Sequence, residues 1–242
     1  MKRFLTPAIA LAALGLATAK GDILTDWTFE TSQPTTTGPF SPESGLQTAT
    51  AQASASGLGT ISSPSGDGSS HSFSANGWTV GGYFQFSLNT IGYENILVSF
   101  EQTSSNTGPR DFNFQYSTDG GATFTIDNPT AGGQSPGSSP YEVFPNAAVL
   151  GNTSWSPSTF QSAFQFSIDL TPMTAVNNAS SVIFRVVDAD TVAANNANPV
   201  AVAGTDRIDD FVVSASPVPE PGSLALGLTG GFAWLLALRR KR

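Results

Sequence analysis

Large apolar residues alternate with polar ones along much of the middle of the chain. Four segments follow this period of two, and they are 84–89, 96–101, 112–117 and 164–170. Such alternation indicates strands that bury one face only. Further strands are expected at 23–30, 182–187 and 207–213, and the second of these is almost continuously apolar, which indicates a central strand.

The predicted strands are joined by long, uneven connections rich in Gly, Ser, Asn and Pro. This pattern predicts an all-β fold, an antiparallel β-sandwich of the jelly-roll or concanavalin-like class, rather than a regular barrel or a propeller. Segments 31–77 and 129–140 contain few large apolar residues and are predicted to be loops. Helical apolar runs occur only at the two ends of the chain, where a signal helix and a transmembrane helix are expected.

The N-terminal end has the composition of a secretory signal peptide. Lys2 and Arg3 precede an apolar run at 4–16, and Ala17 and Ala19 form a small-x-small cleavage pattern. We therefore expect residues 1–19 to direct export through the Sec translocon and to be removed by signal peptidase. A retained N-terminal anchor is the alternative.

The C-terminal end carries an apolar run of sixteen residues at 223–238. As a helix this run would reach about 24 Å, which makes a short transmembrane helix. The motif before it is Pro219, Glu220 and Pro221, and the tail after it, 239–242, is Arg239, Arg240, Lys241 and Arg242. Because basic ends stay on the cytoplasmic side, the domain at 20–216 is expected to face away from the cytoplasm.

The Pro-Glu-Pro motif, apolar helix and basic end together resemble the PEP-CTERM sorting signal of Gram-negative bacteria. The resemblance covers about the last 25 residues, 217–242. It implies a transient inner-membrane anchor with a cytoplasmic C-terminus, then cleavage near 219–221 by an exosortase-like membrane peptidase. It also implies delivery to the outer surface or extracellular matrix and association with exopolysaccharide. The alternative is an ordinary C-terminal membrane anchor.

The exported part is strongly acidic. Between residues 21 and 217 there are three arginines and seventeen carboxylates, a net charge of −14. Nucleic acid is not an expected partner, because phosphate binding needs clustered cations. Divalent cations, neutral polysaccharide or a cationic surface suit such a domain, and the charge can also serve solubility alone. The chain has no cysteine, which excludes disulfides and thiolate chemistry.

Residues 204–213, which read GTDRIDDFVV, resemble the closing strand of secreted carbohydrate-binding jelly rolls and laminin-G-like sandwiches. In several such modules an Asp of this strand and a carboxylate of the first strand hold a structural Ca²⁺. The resemblance implies a calcium site in which Asp209 or Asp210 meets Glu30 or Asp26. Calcium prefers six to eight oxygen ligands, and the sequence does not identify the rest. The alternative is that these acids cap the strand or pair with arginines.

Residues 117–124 resemble the Asp-box, a hairpin turn found in sialidases and other extracellular β proteins. Ser117 and Asp119 can accept hydrogen bonds from turn N–H groups, the two glycines can supply positive φ, and Phe124 is expected to turn back into the core. In those families the box is structural. A single copy favours a stabilised hairpin over sialidase activity.

The sequence favours a non-catalytic protein. His71 is the only histidine and lies in a Gly- and Ser-rich segment, so a serine triad would have to use it. A glycosidase needs only two carboxylates, and seventeen acids offer many pairs. Trp78 and Trp155 are candidate platforms for stacking on sugars, and the alternative for each is an ordinary place in the core or at its rim. The expected function is therefore that of an exported cell-surface or matrix protein, with a lectin-like sugar binder as the first alternative and a glycoside hydrolase or lyase as the second.

Overall fold

The computed structural model describes residues 21–128, 140–145 and 154–219. Twelve β-strands lie in these ranges: β1 (Asp22–Trp27), β2 (Thr50–Ala53), β3 (Ile61–Ser62), β4 (Phe73–Asn76), β5 (Tyr83–Leu88), β6 (Tyr93–Ser104), β7 (Asp111–Ser117), β8 (Thr125–Ile126), β9 (Tyr141–Glu142), β10 (Gln165–Asp169), β11 (Val182–Asp188) and β12 (Thr205–Pro217). The helices of these ranges are two single 3₁₀ turns, Ser162–Phe164 and Thr174–Val176.

Several features predicted at the two ends fall outside the described residues. They are the signal peptide with Ala17 and Ala19, the motif residues Glu220 and Pro221, the helix at 223–238 and the basic tail. Each of them stays a prediction. Within the described ranges, no helix has the length and apolar character needed to cross a membrane.

The strands form two antiparallel sheets that face each other. The first sheet has the order β10-β6-β12-β4-β3, with β1 also paired to β12, and the second has the order β2-β5-β11-β7-β8, with β9 also paired to β7. The predicted all-β antiparallel sandwich is confirmed. The first and last strands lie together, with Trp27 opposite Phe211, as expected from the sequence.

The core between the sheets is built mainly from aromatic rings. Phe86 and Phe211 stack with ring centroids 3.5 Å apart, and Trp27 meets both rings edge-on. Phe100 and Phe184 flank Phe211 at 5.6 and 6.4 Å. All five side chains are buried. Since burial of one such ring is worth roughly 1.5–3 kcal/mol, this cluster is a main source of stability.

The four strands predicted from alternation and the three further strands are all present. The pattern is clearest in β10, where Phe166 and Ile168 are buried and the three polar residues between and beside them are exposed. β11 lies between β5 and β7, so the predicted central position of the segment 182–187 is confirmed.

The prediction that segment 31–77 is a loop is wrong in part, because it contains β2, β3 and β4. These strands are short and rich in Ala and Ser, so their own sequence carries little strand signal. β2 is held by backbone pairing to β5 and β4 by pairing to β12, whose apolar faces are far larger, and β3 pairs with β4. Tertiary context decides the structure of such segments.

The hairpin at 117–124 forms as predicted, with one exception. Asp119 accepts hydrogen bonds from the Ser117 hydroxyl at 2.7 Å and from the Thr123 N–H and hydroxyl at 3.0 and 2.6 Å. Gly121 has φ +90° and donates its N–H to the Ser117 hydroxyl. Phe124 does not enter the core. It lies half-buried on the outer side of the second sheet, because its ring packs on the guanidinium of Arg185.

Candidate metal centre

A β-bulge in the last strand brings two consecutive acids together. β12 pairs with β6 at Asp209 opposite Glu101 and resumes at Val212 opposite Ser99, so β12 carries one extra residue. Asp210 has φ +42°, a left-handed conformation that Asp tolerates better than most residues. Consecutive residues of a regular strand would point to opposite faces, and the bulge removes that separation.

Three carboxylates meet at this bulge. Glu101, Asp209 and Asp210 each place one carboxylate oxygen within 4.8 Å of the other two. Asp209 is fully buried and Glu101 is 3% exposed. Asp209 Oδ1 and Glu101 Oε2 have no hydrogen-bond partner among the described residues. Buried polar atoms are almost always paired, so two such oxygens in one cluster point to a missing ligand.

The loop at 66–72 closes over the cluster from the outer side of the first sheet. Asp209 Oδ2 accepts hydrogen bonds from the Ser69 hydroxyl at 2.6 Å and from the Asp67 N–H at 3.2 Å. A Cβ atom at Gly66 would collide with the same Asp209 oxygen, so only glycine fits there. One oxygen of Asp209 is therefore fixed by the loop, and the other is left for a ligand.

The charges of the cluster are not neutralised by neighbouring cations. Burial is the main cause that raises the pKa of Glu101 to about 9, of Asp209 to about 8 and of Asp210 to about 6, and the neighbouring carboxylates add to each shift. In the described ranges the ion pairs all involve Arg110, which is not part of this cluster. The cluster must hold either protons or a cation.

Of the predicted ligands, Asp209 and Asp210 lie in the cluster and Glu30 does not. Glu30 Oε1 accepts the His71 N–H at 2.7 Å, although Glu30 is close enough to raise the pKa of Asp210. Asp26 acts on that pKa in the same way. The alternative that the two aspartates pair with arginines is wrong for the described residues, because Arg207 donates to the Ser65 carbonyl instead and contacts no carboxylate there.

Glu101 was missed by sequence reasoning. It is one of four consecutive polar residues that follow Phe100 in β6, and all four are buried. When a run of polar residues continues a strand of alternating pattern, it indicates that some of these polar side chains are buried. The sequence still does not say that β6 would pair with β12 at Asp209.

Both tryptophans predicted as sugar platforms are largely buried. Trp78 is 4% exposed and donates its indole N–H to the Ala75 carbonyl, and Trp155 is 9% exposed and donates to the Ser65 carbonyl. Little ring surface is left for a sugar, so the structure gives no support to stacking on these two rings.

His71 is held by backbone contacts. Its ring Nδ1 lies 3.4 Å from the Ser63 carbonyl oxygen. The backbone N–H of His71 donates a hydrogen bond to Glu30 Oε1. The segment that was predicted to be a free loop is therefore anchored beside the carboxylate cluster.

No protein-family model matches the chain, and neither does any curated protein. Among solved structures, the cleaved K2 adhesin domain of Lys-gingipain is similar over 78% of this chain and 97% of that one, with 15% identity and a TM-score of 0.37.

Two further structures contain carbohydrate-binding modules. The CBM22-1 and GH10 modules of Clostridium thermocellum xylanase 10B match over 83% of this chain and 30% of that chain, with 11% identity and a TM-score of 0.31. TmCBM61, solved with β-1,4-galactotriose, matches over 69% of this chain and 88% of that one, with 11% identity and a TM-score of 0.26. Similarity this low carries no argument about function, so the function has to be inferred from the chain's own residues.

Proposed function

We propose that this chain is an exported, non-catalytic β-sandwich of the jelly-roll class that acts at the cell surface or in the extracellular matrix and is completed by a calcium ion. Glu101, Asp209 and Asp210 would hold the ion. The observation that carries the proposal is the pair of buried carboxylate oxygens without a partner, Asp209 Oδ1 and Glu101 Oε2. Three hard oxygen donors that form no ion pair with a basic residue of the described ranges suit Ca²⁺ better than softer metals.

Export and calcium binding support each other physically. Extracellular modules bind calcium with dissociation constants of about 10⁻⁴ to 10⁻³ M, which matches the calcium available outside cells and not inside. A sandwich that needs the ion would therefore become fully stable only after export. The ion would also offset part of the negative charge of the domain.

The end of β12 supports the proposed sorting by an exosortase-like peptidase. The strand ends at Pro217, and Val218 donates its N–H to the Gly92 carbonyl at 2.8 Å. Pro219 is exposed and is the first residue of the Pro-Glu-Pro motif. The motif thus starts two residues after the last strand, where a peptidase could cut without opening the sandwich.

Calcium binding should be measurable by isothermal titration calorimetry on the full chain in mild detergent. We expect one ion per chain with a dissociation constant of about 10⁻⁴ to 10⁻³ M. Asp209→Asn should weaken binding at least about tenfold, because it removes a charged ligand. Asp22→Asn removes the same charge from the start of β1, away from the cluster. Its dissociation constant for calcium should equal that of the original protein. Equal effects of both variants, or no binding heat, would refute the site.

Sorting should be visible in the mass of the protein recovered from its native host. We expect an N-terminus at Lys20 and a C-terminus within 217–221 in the outer-surface or extracellular fraction. An intact Arg242 in the inner membrane would instead indicate a simple anchor. Pro219→Ala with Pro221→Ala should leave export unchanged and abolish the cut, because the extended motif is lost.

Association with polysaccharide is part of the proposal, and one surface favours it. The outer side of the second sheet is polar, with amide and hydroxyl side chains on its strands. Such groups can donate to and accept from sugar hydroxyls. The lectin-like alternative would use this surface.

A further inference from the structure

A single row of side chains crosses the outer side of the second sheet. The strand register places Gln52 opposite Gln85, Gln85 opposite Arg185, and Arg185 opposite Gln115. The row therefore runs across β2, β5, β11 and β7, and it reaches Ile126 on β8. With strands spaced about 4.8 Å apart, it is about 19 Å long, enough for several sugar residues.

The two neighbouring rows are also free of acidic residues. One consists of Thr50, Ser87, Ile183 and Ser117, and the other of Tyr83, Val187 and Asn113. Seventeen carboxylates lie in the exported domain, yet none stands in these three rows. We call the three rows the polar face. Two acids border it: Asp119 accepts a hydrogen bond from the Ser117 hydroxyl at 2.7 Å, and Asp111 precedes Asn113 by two residues in β7.

Arg185 is the only cation of the polar face, and it is held rigidly. Its guanidinium carbon lies 4.0 Å from the ring centres of both Tyr83 and Phe124. Its Nε donates to Gln85 Oε1 at 2.8 Å, and Nη2 donates to the Tyr83 hydroxyl at 3.3 Å. Two rings and two hydrogen bonds therefore fix the plane of the guanidinium.

The remaining donors of Arg185 have no partner among the described residues. None of the carboxylates there lies within 4.0 Å of its nitrogens, and Nη1 makes no hydrogen bond. The side chain is only half-exposed. A partly desolvated cation without a counter-ion is costly for the free protein, and a ligand carboxylate would supply both the opposite charge and the missing acceptors.

We infer that the polar face binds a polysaccharide strand that carries carboxylates, with Arg185 receiving one uronate carboxylate. Gln52 and Gln115, on either side, are placed to exchange hydrogen bonds with sugar hydroxyls. The inference rests on the proposed function in one respect, that the protein meets polysaccharide outside the cell.

The net negative charge of the domain does not prevent this binding. At physiological ionic strength, charges more than about 8 Å apart are largely screened, so the acids that do not border the polar face act weakly on it. Their effect is to discourage a polyanion from binding anywhere else on the domain. Affinity for a uronate chain should therefore depend on one residue, Arg185.

The test uses tetrasaccharides of galacturonate and mannuronate, because chains this short do not gel with calcium. Each is compared with its carboxyl-reduced, neutral form by calorimetry on the full chain in mild detergent with millimolar calcium. We expect at least one uronate tetrasaccharide to bind, and carboxyl reduction to weaken it at least about tenfold.

Two variants of Arg185 test whether its guanidinium binds the carboxylate, and a variant of Gln115 is the control. Arg185→Gln should lose at least about tenfold in affinity for the uronate, and Arg185→Lys should lose part of it, because Lys keeps the charge without the planar pair of donors. Gln115→Ala leaves Arg185 in place and should weaken the uronate and its reduced form alike. Unfolding midpoints of all variants show whether the fold is kept.

The outcomes separate this inference from the proposed function. Equal binding of the neutral form, or an unchanged affinity in Arg185→Gln, would overturn the carboxylate role and leave a neutral-glycan binder. No binding of any uronate would overturn the inference, while calcium binding and sorting, measured separately, would still decide the proposed function.

Discussion

Phe211→Ala is expected to lower the free energy of unfolding by about 3–5 kcal/mol, the usual cost of removing a fully buried phenylalanine. The ring is fully buried and stacks on Phe86 with planes within 5°. It also contacts Trp27 at 6.0 Å and Phe100 at 5.6 Å. Because Phe211 follows the bulge directly, its loss should also loosen the position of Asp210. The measurement is urea unfolding followed by tryptophan fluorescence.

Two matched variants control this prediction. Phe160 is 45% exposed, so Phe160→Ala should change the free energy of unfolding by no more than about 0.5 kcal/mol. Phe211→Leu keeps most of the apolar volume, so its loss in free energy of unfolding should fall between the losses of the two alanine variants. If Phe211→Ala and Phe160→Ala cost the same, the stacked rings would not be the centre of the core.

The strands with large alternating side chains could be predicted from the sequence because each of them carries its own signal. In β10, for example, Phe166 and Ile168 alternate with polar residues, and no other part of the chain is needed to see it. β4 shows the opposite case. Only Phe73 is large there, and the strand exists because β12 offers it backbone partners.

The sequence predicts only two of the three carboxylates of the candidate metal centre. Asp209 and Asp210 are adjacent in the sequence and stand in a motif, so they attract notice. Glu101 joins them through the register of β6 against β12, a long-range pairing that local patterns do not contain. Glu30 was expected from the neighbourhood of the first and last strands, which is real, but its side chain is engaged by His71.

The aromatic residues show a second limit of the sequence. Phe124 was expected in the core and lies on the outer side, while the two candidate sugar platforms, Trp78 and Trp155, are buried. A large ring lowers the free energy by burial against any apolar or cationic partner. Which partner it meets is decided by the turn that carries it, and composition does not reveal this.

Chelation of divalent cations should make the stability of the protein strongly dependent on pH. In the folded protein without metal the pKa values of Glu101, Asp209 and Asp210 are about 9, 8 and 6, above the usual range near 4. Their protons are held in the folded state and lost in the unfolded one. The contribution of these bound protons to the free energy of unfolding is fully present below about pH 4 and is lost as the pH rises towards about 9.

Calcium should reverse this loss, because it replaces the protons as the charge that the cluster needs. At about pH 8.5, calcium at roughly one hundred times its dissociation constant adds about 2.7 kcal/mol, or about 5–10 °C in the unfolding midpoint of a domain this size. Near pH 5 the gain should be much smaller, since protons then compete with the ion. Thermal unfolding of the full chain with calcium and with chelator, at both pH values, measures the difference.

Asp209→Asn tests the role of this carboxylate. It should raise the thermal unfolding midpoint measured with chelator and lower the midpoint measured with calcium. At high pH the variant without metal should be more stable than the original protein, since one of three crowded charges is gone and the new amide N–H₂ can face the unpartnered oxygen of Glu101. The same change should remove most of the gain from calcium. Asp22→Asn should do neither. A variant that is destabilised equally with and without calcium would mean that Asp209 serves the fold through its bonds to Ser69 and Asp67 alone.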